Sequence, residues 1–126
     1  MGRPSILVVD DNPSTRTLIA DTLDLEGYEV TSLPDGQSVI DALEHVTPSL
    51  VILDVMMPRV DGFTVLGHIR GQERTRHIPV LMLTALDDTE STWKGWTGGC
   101  DYYMNKPFDT EDLVAVVENL LAGVPA

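Results

Sequence analysis

The chain has 126 residues, 43% of them hydrophobic, with a mean hydropathy of +0.03, values that suit one globular domain around one core. Acidic residues number 20 against 8 basic ones, and the resulting formal net charge of −12 argues against a direct nucleic-acid surface, though not against a DNA-binding domain elsewhere in a longer protein. The single cysteine, Cys100, excludes an internal disulfide or a cysteine metal cluster. No run approaches the roughly 20 apolar residues of a membrane span, and Met1 to Ser5 form no apolar signal region, so a cytoplasmic chain is expected.

Ser5-Ile6-Leu7-Val8-Val9 is an apolar run too short for a helix and reads as a strand buried on both faces. Asp10-Asp11 follows at once. Asn12-Pro13 then gives an N-cap and a proline in the first helical position. Leu18, Ile19, Thr22 and Leu23 share one face of that helix, and Gly27 ends it. Tyr28 to Thr31 is a less apolar strand, expected at a sheet edge. After the Asp35-Gly36 turn, Val39, Ile40 and Leu43 mark a second helix that stops near Thr47-Pro48.

Val51-Ile52-Leu53 drives an apolar strand straight into Asp54, and Val55-Met56-Met57-Pro58 follows. A carboxylate ending a buried strand is costly unless something pairs with it. Asp61-Gly62 opens a third helix with Phe63, Leu66 and Ile69 inward, and Gly71 to His77 is a polar loop. Ile78 to Leu83 is another buried strand, ending at Thr84-Ala85. The polar segment from Asp87 starts a fourth helix carrying Trp93 and Trp96, stopped by Gly98-Gly99. Cys100 to Met104 is the fifth strand, running into Asn105-Lys106-Pro107. Asp109, with Asp112 three residues on, nearly matches a capping box for the last helix, whose inner face is Leu113, Val116, Val117, Leu120 and Leu121.

Strand and helix alternate five times, which predicts an open parallel sheet with helices on both faces and right-handed crossovers. Ligands of such sheets bind beyond the carboxyl ends of the strands. There the sequence delivers Asp10 and Asp11, Asp54, Thr84 and Ala85, and Lys106. Clustered carboxylates repel, so at least one pKa should rise unless a cation sits among them. Lys106 supplies one charge. Hard oxygen ligands with room for waters suit Mg²⁺, and no histidine or cysteine is placed to favour zinc. A metal, a carboxylate, a lysine and a hydroxyl also form the kit for phosphoryl transfer, in which a carboxylate can act as the nucleophile.

The residues Val8-Val9-Asp10-Asp11, Leu53 to Pro58, Asp61-Gly62-Phe63, Leu83-Thr84-Ala85 and Lys106-Pro107-Phe108 together resemble a response-regulator receiver domain of two-component signalling. The resemblance covers essentially the whole chain, residues 1–126, with a core of about 5–122 and a tail or linker start at 123–126. It implies a flavodoxin-like (βα)5 sheet with strand order 2-1-3-4-5. It implies Asp54 as phosphoacceptor, taking phosphate from a histidine kinase or phosphotransfer protein. Mg²⁺ would be held by Asp11, Asp54 and the main-chain carbonyl of Met56, with Asp10 acting through water. Lys106 would pair with the phosphoryl group, or with Asp54 at rest. Thr84 and Ala85 would line the phosphate site, and Tyr103 would turn inward on activation. The Lys106–Pro107 bond is expected to be cis.

Departures from the family pattern carry their own expectations. Met56 and Leu86 stand where side chains flank the phosphoryl group and tune its hydrolysis, and both are apolar, so a long-lived phosphorylated state is expected. Met56, Met57, Met82 and Met104 otherwise read as packing residues. Tyr102 and Trp93 are candidates for an aromatic output face towards an unknown partner. The last helix lacks the arginines of receivers that dimerise through it, so a monomer or a phosphorylation-dependent dimer is expected. Two other readings compete. A phosphatase forming an aspartyl phosphate would carry Asp-x-Asp, where Asp54-Val55-Met56 stands. A flavin-binding module of similar architecture would need a Ser/Thr/Gly-rich loop where Asp10-Asp11 stands.

Overall fold

A computed structural model describes residues 2–85 and 98–123 of the chain. The strands are β1 (Ser5–Val9), β2 (Glu29–Leu33), β3 (Leu50–Asp54), β4 (Val80–Thr84) and β5 (Tyr102–Asn105). The helices are α1 (Pro13–Leu25), α2 (Gly36–Leu43), α3 (Gly62–Arg70) and α4 (Thr110–Leu121). The helix expected to carry Trp93 and Trp96 lies outside the described residues, as does Leu86.

All strand pairs are parallel, in the order β2-β1-β3-β4-β5. Successive side chains of a strand point to opposite faces. Leu7, Val9, Val51, Leu53 and Met82 therefore face one core, closed by Val39 and Leu43 of α2 and Val65, Leu66 and Ile69 of α3. Ile6, Val8, Ile52, Leu81 and Leu83 face a second core, closed by Ile19 and Leu23 of α1 and Leu113, Val117 and Leu120 of α4. With both faces covered, the inner strands need unbroken apolar runs. Strands β3 and β4 are buried at every position, whereas the edge strand β2 is mostly exposed.

Several local expectations are corrected. Leu18 is 48% exposed rather than inward. Ile19 and Leu23, four residues apart, fix the buried stripe of α1, and Leu18 lies about 100° off Ile19 around the helix. Ile40 is half-buried, and Val65 joins the inner face of α3, where Phe63 packs half-buried against the core as expected. Strand β4 starts at Val80 because Pro79 has no N–H to give the ladder, although its carbonyl accepts from Val51 at 3.0 Å. Asp109 occupies the N-cap position of α4, but its side chain makes no capping bond. Met56 is 56% exposed, so it is not a packing residue, whereas Met57, Met82 and Met104 are buried. Cys100 is buried, and burial first, then the charge of Asp101, pushes its thiol up to about 11.

Candidate functional site

The carboxyl ends of the strands bring the site together. Val9 pairs with Leu53 across β1 and β3, so Asp10 and Asp54 follow on neighbouring strands of one rim. The ladder runs on past the strand ends. Val55 donates its N–H to Leu83 at 2.9 Å, and Lys106 donates its N–H to Thr84 at 2.7 Å. These bonds fix the main chain on which Asp54, Thr84 and Lys106 are carried. Gly62 closes the site from below: its N–H donates to Val55 at 2.9 Å, and a Cβ there would lie 2.4 Å from the Asp54 carbonyl oxygen. Asp61 opens α3 beside it, accepting from Thr64 N–H at 2.8 Å.

The carboxylates of Asp10, Asp11 and Asp54 each place an oxygen within 4.8 Å of the other two. Asp10 is fully buried, Asp54 is 4% exposed and Asp11 is open to solvent. Lys106 Nζ donates to Asp10 Oδ2 at 2.7 Å and lies 3.4 Å from Asp54 Oδ1. Its first partner is thus Asp10, and Asp54 comes second. The other oxygen of Asp10 accepts from Asn12 N–H at 2.9 Å. Burial, then the negative charge of Asp10, raise Asp54 to about 7, against the pull of Lys106. The rise expected for one of the crowded carboxyls falls on Asp54.

Thr84 is fully buried at the end of β4, and Ala85 beyond it is exposed. Tyr103 is half-buried against the core beneath α2 and α3, with its hydroxyl buried. Tyr102 points the other way and is half-buried against the core beneath α1 and α4. Met56 and Asp11 line an open depression of about 520 Å³ with Val55, Met57, Pro58, Asp61 and Phe63. The Lys106–Pro107 peptide is cis. Leu86 and Trp93 lie outside the described residues.

The carboxylates suit a hard dication. Lys106 is the only cation that pairs with them among the described residues, so one ammonium faces the cluster of Asp10, Asp11 and Asp54. Oxygen donors with one side open to water fit Mg²⁺ better than a softer metal. Sequence reading missed Arg16, which donates to the Asp10 carbonyl at 2.7 Å, and Arg59, whose φ of 68° turns the loop beside the depression. An arginine in the first turn of a helix, where the dipole disfavours a cation, was the available signal for Arg16. Nothing in the residue pattern marks Arg59.

Comparison with known proteins agrees with this geometry. The family model described as the response regulator receiver domain matches residues 6–118. The DNA-binding dual master transcriptional regulator RpaA of Synechocystis sp. is 43% identical over 118 residues, covering 94% of this chain and 49% of that protein. The structure of chemotaxis protein CheY4 of Vibrio cholerae superposes with a TM-score of 0.89 at 30% identity, covering 94% of this chain and 99% of that one. The receiver domain of sensor histidine kinase PA1611 from Pseudomonas aeruginosa PAO1, which has a magnesium ion coordinated in its active-site cleft, matches with a TM-score of 0.88 at 30% identity, covering 97% and 99%. The chain belongs to the response-regulator receiver domain family, the phosphoacceptor switches of two-component signalling. It spans about half the length of the curated relatives it matches first. Neither the phosphatase nor the flavin-binding reading finds support in these relatives.

Proposed function

We propose that Asp54 is the phosphoacceptor of this domain. The observation that carries the reading is a buried carboxylate at a strand end, crowded by Asp10 and Asp11 and approached by Lys106 at 3.4 Å. An Asp54 carboxylate oxygen forms a bond to phosphorus, and the bond from phosphorus to the donor's leaving atom breaks. Asp54 must be ionised to attack, and the ammonium of Lys106 favours that form. Once the phosphoryl group is in place, Lys106 can shift from Asp10 towards the new oxygens, and the Thr84 hydroxyl can donate to them. Ala85 leaves room beside them.

Asp11, Asp54 and the Met56 carbonyl would hold Mg²⁺, with Asp10 acting through water. When bound, the ion supplies positive charge that offsets the carboxylates and the incoming phosphoryl oxygens. Tyr103 would report the state of Thr84 to the surface, with Tyr102 and Trp93 as candidates for the face a partner reads. Apolar Met56 and Leu86 offer no group to orient an attacking water, which favours a long-lived phosphate. A half-life that fails to shorten in Met56→Asn with Leu86→Glu would count against that point.

The donor is a histidine kinase or phosphotransfer protein, and the receiver domain is expected over residues 1–126, with a core of about 5–122. In a regulator built like RpaA, DNA contact would fall to a separate region, since this domain carries a net charge of −12. The test is incubation with acetyl phosphate and Mg²⁺. The expected result is one acid-stable, base-labile phosphate on Asp54, absent in Asp54→Asn. Continuous turnover of a phosphoester, or binding of a flavin, would overturn the reading.

A further inference from the structure

Arg16 makes a bond that the phosphoacceptor reading leaves unused. It sits in the first turn of α1, where the positive end of the helix dipole opposes a cation. Its Nη1 donates to the main-chain carbonyl of Asp10 at 2.7 Å. Among the described residues Arg16 forms no ion pair, although Asp10, Asp11 and Asp54 gather at this end of the sheet. Asp10 is therefore held at three atoms. Arg16 takes the carbonyl, Asn12 N–H reaches Oδ1 at 2.9 Å, and Lys106 reaches Oδ2 at 2.7 Å. The frame is closed on itself, because Asn12 also caps α1 through Ser14 and Thr15 N–H and its carbonyl accepts from Arg16 N–H at 3.0 Å.

The carbonyl that Arg16 engages belongs to the planar peptide joining Asp10 to Asp11. Fixing that plane sets the direction in which Asp11 leaves the chain. Asp11 is exposed, so little packing holds its side chain from outside. We propose that Arg16 is a positioning residue for the divalent-metal site, clamping the Asp10–Asp11 peptide so that Asp11 faces Asp54 while Asp10 stays on Lys106. The proposal rests on reading Asp10, Asp11 and Asp54 as the metal cluster. Groups that orient metal ligands without touching the metal commonly change affinity by about 10- to 100-fold.

The test is calorimetric titration of the whole chain with Mg²⁺ in wild type, Arg16→Met, Arg16→Lys and Asp11→Asn, with the melting temperature of each metal-free protein. Arg16→Met should weaken Mg²⁺ by about 10-fold at a temperature where its metal-free form is fully folded. The lost charge-assisted bond lowers metal-free melting, but a purely structural role would leave the affinity of the folded protein unchanged. Arg16→Lys keeps a cationic donor and should recover most of the affinity. Wild-type affinity in Arg16→Met, or equal loss in both arginine variants, overturns the proposal. Should Arg16→Met fail to fold, Arg16→Gln against Arg16→Lys makes the same comparison. Asp11→Asn separates the two levels. Wild-type affinity there overturns the metal cluster and the role of Arg16 together, whereas loss there with Arg16→Met unaffected overturns the role of Arg16 alone.

Discussion

Lys106 donates to Asp10 at 2.7 Å across 96 residues of sequence, and this ion pair draws the ammonium away from Asp54, which it approaches only to 3.4 Å. Asp54 is left under-compensated and titrates at about 7 because of burial and the charge of Asp10. A carboxyl whose folded pKa is raised contributes stability below its ordinary value of 3.8 and loses that contribution as pH climbs through about 7. The metal-free domain should therefore melt lower at about pH 8 than at about pH 5, and the drop should shrink in Asp54→Asn. At neutral pH that substitution should stabilise the metal-free domain by roughly 1–3 kcal/mol, allowing for the partial compensation by Lys106. Equal pH profiles in chemical denaturation would contradict this account.

Gly62 has no room for a side chain. An added Cβ would meet the Asp54 carbonyl oxygen at 2.4 Å and the Val55 Cα at 2.9 Å, both main-chain atoms that cannot step aside cheaply. Gly62→Ala should cost about 1–3 kcal/mol and slow phosphorylation by acetyl phosphate, because relief of the clash displaces the peptide that carries Asp54. Wild-type denaturation midpoint and rate would show that the loop absorbs the methyl group.

Two aspartates occupy N-cap positions with different chemistry. Asp61 accepts from Thr64 N–H at 2.8 Å, whereas Asp109 makes no capping bond. Asp61→Ala should cost about 1 kcal/mol. Asp109→Ala should cost clearly less, since only its charge near the helix dipole is lost. Paired urea melts of the two variants decide the order.

The thiol of Cys100 is buried and pushed up from 9.0 to about 11, so it is protonated at neutral pH. The shift alone leaves about 100-fold fewer thiolates than an ordinary cysteine has at the same pH. Alkylation by iodoacetamide should be far slower in the native domain than in denaturant, and the difference should narrow as pH approaches about 11.

Fold order and strand-end chemistry were legible because they depend on local patterns. Apolar runs of strand length ended at Asp10, Asp54, Thr84 and Lys106, and each lies on the expected rim. What depended on helix rotation was less legible: Leu18 is as apolar as its neighbour Ile19, and only the direction in which α1 crosses the sheet decides which is buried. Met56 belongs to an apolar run but turns outward where β3 has ended. Partner choice was the least legible. Asp10 and Asp54 are both strand-end carboxylates within reach of Lys106, and the ammonium sits closer to Asp10, which follows the more distant strand β1, than to Asp54 on β3.

Arg70 was equally silent in sequence. It donates to the carbonyls of Gly99 and Ile78 and to Asp101 Oδ2 at 2.8 Å, while Asp101 also accepts from Val80 N–H. An arginine at a helix end gives no hint that it ties α3 to the starts of β4 and β5.

The sheet order has a temporal consequence for a chain made from its N-terminus. Asp10 and Asp54 come from adjacent central strands, whereas Lys106 arrives from the edge strand β5, the last to be synthesised. If β1 and β3 dock before β5 is made, the two acids meet before the ammonium that pairs with them is present. Charge compensation of the clustered carboxylates thus depends on the last strand of the sheet, which ties the electrostatic balance of the site to completion of the fold.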